Sequence, residues 1–160
     1  MVPVAAVLLL SASLGSAWAG GATMPVTGQV LAATPAAVAA ALREAGYQVT
    51  PNPSGADEAP SLTLKAGDYE LDVWFSDCQA DSCSRVTAST SWDYQNSEQD
   101  LDLDLVNEWN SNAFSQAYVY EGSYVLDTTL TLKGGYTRAA LNAWLTDYLS
   151  DVKAFEGALP

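Results

Sequence analysis

"YELDVWFSDCQADSCSRVTASTSW", Tyr69 to Trp92, is the stretch on which the fold turns. Cys78 and Cys83 enclose "QADS". Set opposite each other as the ends of an antiparallel hairpin, they place Phe75 against Val86, Val73 against Ala88, Leu71 against Thr90 and Tyr69 against Trp92. That face is mostly apolar. The other carries Asp72 against Ser89 and Glu70 against Ser91, with Trp74 against Thr87 as the exception. Because side chains alternate with a period of two, a one-residue slip would scramble this division, so the register is well specified. Directly opposed residues have Cα atoms ~4.5–5.5 Å apart, within reach of a disulfide. A Cys78–Cys83 bridge is therefore expected. The competing reading, a redox dithiol, would want C-x-x-C spacing. The closed loop is short, so the entropic gain is only roughly 2 kcal/mol; the bridge staples a hairpin tip.

Upstream, "SLTLK" precedes Ala66-Gly67. With that pair as the turn, Leu64 faces Tyr69 and Leu62 faces Leu71, on the same apolar face, and Ser61 to Trp92 reads as a three-stranded antiparallel meander. "PNPSGADEAP" is a proline-rich loop, and "YQVT" before it admits a short strand. Thr34-Pro35 reads as helix N-cap and first residue. Val38, Ala41, Leu42 and Ala45 follow at helical spacing, and Gly46 is the stop. Residues 20–33 are expected to be a flexible leader. Residues 1–19 form an apolar run ending in the small-x-small pattern Ala17-Trp18-Ala19, the mark of an export signal. The alternative, an uncleaved anchor, meets the difficulty that the strongly apolar part, Val4 to Leu10, falls far short of the ~20 residues a span needs. These features lead to the expectation of a domain over 34–160 in an extracytoplasmic setting, periplasmic or secreted, with no membrane span in the mature chain.

Downstream lies "QDLDLDLVNEWNSN", Gln99 to Asn112, with aspartates at 100, 102 and 104. An EF-hand loop begun at Asp100 requires Gly at its sixth place and Glu at its twelfth. Leu105 and Ser111 stand there. A strand fits "DLDLDL" by alternation. A helix fits the longer window, with Leu101, Leu105, Val106, Trp109 and Ala113 in one stripe and aspartates at the positive end of the dipole. The preferred reading is a helix from about Asp100 to Asn112. A hairpin around Glu121-Gly122 then pairs Val119 with Tyr124 and Ala117 with Leu126. Its other face holds Tyr118–Val125, Tyr120–Ser123 and Gln116–Asp127. Thr137 caps a last helix with a wide apolar face, including Leu141, Trp144, Tyr148 and Phe155. The expectation is an α+β fold: an antiparallel sheet of about five strands in the order α-β-β-β-α-β-β-α, packed by helices.

The 160 residues carry a net charge of -13 and no histidine. That charge repels nucleic-acid phosphates and anionic lipids. Ser-His and Cys-His catalysis and imidazole metal ligation are excluded. Gly134-Gly135 precedes a helix but lacks the Lys and Ser/Thr of a phosphate loop. Glu108, Asp127 and Asp147 lie on separate elements, and no spacing brings them together as a carboxylate pair. No catalytic residue, metal ligand or cofactor site is assigned.

One constellation stands out. Trp74, Tyr118, Tyr120 and Val125 fall on the face assigned to solvent. An aromatic patch there would be an interaction surface. Alternatively a helix covers that face, or the aromatics simply pair across strands. Asn107 and Asn110, near the end of the second helix, are expected to be structural, bonding the backbone of the next strand or finishing the helix.

The segments "DLVNEWNSNAFSQAYVYEGSYVL", "GGYTRAALNAWLTDYLSDVKAFE" and "AAVAAALREAGYQV", with the meander, resemble the YbjN-domain family over roughly residues 34–157. The resemblance implies an α+β fold like that of type III secretion chaperones, with no catalytic residues carried over. The family's label, a sensory transduction regulator, implies little biochemistry. The export signal and the expected disulfide depart from cytosolic members and argue against a cytoplasmic role. The expected function is that of an exported, non-enzymatic binding domain for a protein or peptide, a homodimer included. The alternative is an acidic extracytoplasmic cation-binding or envelope-associated protein; a hydrolase ranks third.

Overall fold

A computed structural model describes residues 28–160, apart from 54, 56, 57, 98 and 99. The expected export signal, and the leader up to residue 27, lie outside the described residues. In chain order the elements are β1 (Val30–Leu31), α1 (Pro35–Glu44), β2 (Gln48–Pro51), β3 (Ser61–Ala66), β4 (Tyr69–Gln79), β5 (Ser82–Asp93), α2 (Leu103–Asn112), β6 (Gln116–Tyr120), β7 (Ser123–Thr131), β8 (Tyr136–Thr137) and α3 (Arg138–Glu156). Six strands form one antiparallel sheet in the order β2-β3-β4-β5-β7-β6, and β1 pairs with β8 in a separate ribbon.

The hairpin register read from the cysteines is present. Phe75 pairs with Val86, Val73 with Ala88 and Trp74 with Thr87, and Cys78 and Cys83 are bridged with Cα atoms 3.9 Å apart. The bridged tip is not free. Cys83 is 2% exposed, and its N–H donates to the Ala33 carbonyl at 2.7 Å, so the tip docks on the chain entering α1. In the β6–β7 hairpin, Glu121 (φ 46°) and Gly122 (φ 77°) both take the positive φ that a type I′ turn needs.

The strand count and order differ from the expected five. Gln48–Pro51 is a sixth sheet strand, giving four strands between α1 and α2. It is short and carries a proline, which an edge strand tolerates because its outer N–H is not needed in a ladder. The first meander turn is Gly67-Asp68, not Ala66-Gly67, so Leu64 meets Leu71 and Leu62 meets Val73. The displacement is by an even number of residues, so every side chain keeps its face. Val30 and Leu31, read as part of a leader, pair with Thr137 and Tyr136.

Helix ends follow local chemistry. Thr34 Oγ1 accepts from the Ala37 N–H, and Thr137 Oγ1 from the Ala140 N–H. At the end of α1, Gly46 (φ 97°) closes a Schellman motif, with Tyr47 N–H donating to Leu42 and Gly46 N–H to Arg43. The second helix starts at Leu103, later than expected, because Asp102 is its cap; Oδ1 accepts from the Asp104 and Leu105 N–H groups. One core cluster joins the inward faces of the helices (Val38, Leu42, Val106, Leu141, Trp144, Tyr148, Phe155) to one face of the sheet (Leu64, Leu71, Phe75, Val86, Leu126). Among the described residues, no helix is long and apolar enough to cross a membrane.

Candidate functional site: the uncovered face of the sheet

Pairing places Trp74 beside Thr87 and Thr129 in one cross-strand row, and Asp72, Ser89, Asp127 and Gln116 in the next. Ser91, Val125 and Tyr118 form a third row. All of them lie opposite the core face. Trp74, Val125, Tyr118 and Tyr120 stand outside the core cluster to which all three helices contribute. Among the described residues, the three helices pack on the opposite face and none covers this one.

The four residues singled out in the sequence differ in accessibility. Tyr120 is 61% exposed at the hairpin end and Tyr118 39% exposed in mid-strand, while Trp74 is half-buried. Val125 is buried beside Tyr118 and supports the surface without being part of it.

Two further residues belong to the site. Phe114, in the link between α2 and β6, is 70% exposed. Its direction follows from its neighbours. Ser115 is tied inward, its N–H and Oγ both donating to Asp151 Oδ2 at 3.1 and 2.7 Å. Ala117 is tied to Asn110. Alternation then sends Phe114 and Gln116 to the uncovered face. Asp127 is the second. Tyr118 Oη donates to its Oδ2 at 2.9 Å, while its Oδ1 is buried and has no hydrogen-bond partner. Burial, and then this bond, push the Tyr118 phenol up to about 12. Thr87 and Thr129 share a hydroxyl hydrogen bond of 2.8 Å. Trp74, Thr87, Phe114, Gln116, Asp127 and Thr129 line a cavity of about 440 Å³ on this face.

The two asparagines part company. Asn110 bonds the next strand through both ends of its amide, whereas Asn107 is exposed and its backbone carbonyl accepts from Ser111 Oγ at 2.9 Å. Among the described residues, no group of three or more His, Cys, Asp or Glu side chains is arranged to hold a metal ion.

The arrangement offers stacking surface, hydroxyls and the carboxylates of Asp72 and Asp127. A family model described as "Putative bacterial sensory transduction regulator", YbjN, matches residues 34–159. The chain belongs to the YbjN family. No curated protein and no solved structure matches it. The YbjN match runs from the cap of α1 to beyond the end of α3, so the core and the uncovered face both lie inside it. Residues 1–33, with the expected export signal, lie outside it.

Proposed function

We propose that this YbjN domain is an exported, non-enzymatic binding module that engages a protein or peptide through the uncovered face of its sheet. The observation that carries the reading is the division of aromatics. Tyr124, Tyr148, Phe75 and Phe155 are fully buried, whereas Trp74, Phe114, Tyr118 and Tyr120 remain on a face that all three helices leave open. A fold able to bury aromatics so thoroughly has no packing reason to leave four on one side. Exposed aromatic patches are the usual mark of an interface, where such rings supply contact area at small entropic cost. The export signal read at 1–19 and the Cys78–Cys83 bridge support an extracytoplasmic setting, since disulfides persist where the surroundings are oxidising.

The test is recovery of partners from envelope extract by the mature chain and by a Trp74→Ala/Tyr118→Ala double variant. The variant is expected to keep its far-UV circular dichroism and lose its partners, or to lose self-association in sedimentation. Unchanged recovery together with an unchanged oligomeric state would remove the reading. Calorimetry with calcium is expected to show no saturable heat; a saturable signal would favour a cation-binding protein instead.

A further inference from the structure

The cavity between Trp74 and Phe114 has a polarity that says more about what enters it. We propose that it seats a cationic side chain, an arginine or a lysine presented by the partner. This rests on the binding reading above and adds the chemistry of the anchor.

Three observations converge. Asp127 lines the cavity with one oxygen buried and unanswered, and a carboxylate in such a place is poorly compensated until a positive charge approaches. The charge acts through the low-dielectric wall of the sheet, so an incoming guanidinium gains without touching Oδ1 itself. The walls are Trp74 and Phe114, whose ring faces attract cations, and tryptophan is the strongest of the aromatics in this respect. Thr87, Thr129 and Gln116 add oxygen acceptors for the remaining N–H groups.

The charges nearby point the same way. The sheet register gives this face two basic residues, and both are already engaged: Lys65 with Glu70 at 3.2 Å and Arg85 with Asp77 at 3.4 Å. Asp72 and Asp127, neighbours across Ser89, are in no ion pair among the described residues. A second copy of the chain would bring another net charge of -13 against this one, whereas a basic partner would be drawn in. A hard metal ion wants several carboxylate oxygens, whereas Asp127 is the one carboxylate lining this cavity, and no group of three or more His, Cys, Asp or Glu side chains is placed to hold a metal among the described residues.

The experiment follows backbone and indole N–H signals of the full mature chain by NMR while N-acetyl-arginine methylamide is added. N-acetyl-citrulline methylamide, of like shape and without the charge, is the control. Saturating shifts are expected at the Trp74 indole and at the Asp127 and Thr129 amides, several-fold weaker with citrulline. Asp127→Asn should abolish the preference, and Asp147→Asn, an exposed acid on α3, should keep it. Equal shifts with citrulline, or shifts spread over the acidic surface without saturation at Trp74, would overturn the proposal. N-acetyl-tryptophan amide separates the two readings. If it moves the Trp74 and Tyr118 signals and arginine does not, the face still binds partners and the cationic anchor is wrong. If neither probe moves them, the anchor is again wrong, and the binding reading then stands or falls on the double variant.

Discussion

Asn110 and Ala117 exchange two hydrogen bonds: the Ala117 N–H donates to Asn110 Oδ1 at 2.8 Å, and Asn110 Nδ2 donates to the Ala117 carbonyl at 2.9 Å. The amide thus stands where a further strand would pair. β6 is an edge of the sheet, and its hairpin partner β7 leaves alternate backbone groups facing outward. An unpaired edge is a template for unwanted association. A helix side chain fills one rung of it here and ties α2 to the sheet.

Asn110→Ala is therefore expected to cost about 1–2 kcal/mol, two net hydrogen bonds in a part-buried position. The urea midpoint should fall with little change in slope. Asn107→Ala, three residues earlier on the exposed side, should stay within about 0.5 kcal/mol. Equal costs for the two would show that the rung contributes nothing.

Asp100, Asp102 and Asp104 look equivalent in sequence, and the structure gives only the middle one the cap of α2. Asp102→Ala should cost about 1 kcal/mol, the usual penalty for a lost N-cap. Asp100→Ala, on an exposed residue before the cap, should be within about 0.5 kcal/mol of neutral. Denaturation curves of the two variants settle the matter. A larger loss at Asp100 would contradict the capping assignment.

How far the fold could be read in advance depended on where a constraint was local. Pairing Cys78 with Cys83 carried a long hairpin into register, because a two-residue period propagates one fixed point along both strands. The turn at Gly67-Asp68 was misplaced by one position. Even so, Leu62 and Leu64 kept their face, since the resulting shift was even. Gln48–Pro51 was admitted as a short strand in "YQVT" but not counted in the sheet, and Val30–Leu31 escaped for the opposite reason. Val30–Leu31 is too short to show alternation, and it is held by a partner distant in sequence. At the candidate site, counting back by twos from Tyr118 reaches Gln116 and Phe114, so the signal for Phe114 was present. The unanswered oxygen of Asp127 was not legible. It depends on which way the Tyr118 hydroxyl points and on what covers the carboxylate, and no spacing encodes either.

The β1–β8 ribbon predicts a difference between adjacent glycines. Both Gly134 (φ 87°) and Gly135 (φ 93°) lie in the left-handed region, where a side chain is strained. A methyl group at Gly134 meets nothing within 4 Å, whereas at Gly135 it collides with Val30 and approaches the Leu31 carbonyl oxygen to 3.0 Å. Gly134→Ala should show the backbone cost alone, about 1 kcal/mol, and Gly135→Ala distinctly more. In a chain begun at Ala32 the excess should vanish, because the colliding strand is gone. An excess that survives this truncation would mean that Val30 and Leu31 do not pair there.

Tyr118 and Asp127 make a prediction at high pH. Burial first, and then the hydrogen bond to Asp127, raise the Tyr118 phenol to about 12 from an ordinary value of 10.0. Tyr136 is also pushed to about 12, chiefly by burial, and burial raises Tyr148 as well. The native state thus holds phenolic protons that the unfolded chain releases. Linkage then fixes the sign: the stability tied to these protons is intact below about pH 10 and is lost as pH climbs through about 12. Tyrosinate absorbance should show a late-titrating class that vanishes on unfolding. In Asp127→Asn the carboxylate charge is gone while the ring stays where it is. The Tyr118 titration should therefore move down only part of the way, because the larger cause remains. A Tyr118 signal unchanged in Asp127→Asn would mean that the carboxylate does not hold the hydroxyl. A complete return to 10.0 would mean that desolvation does not contribute to the raised Tyr118 phenol.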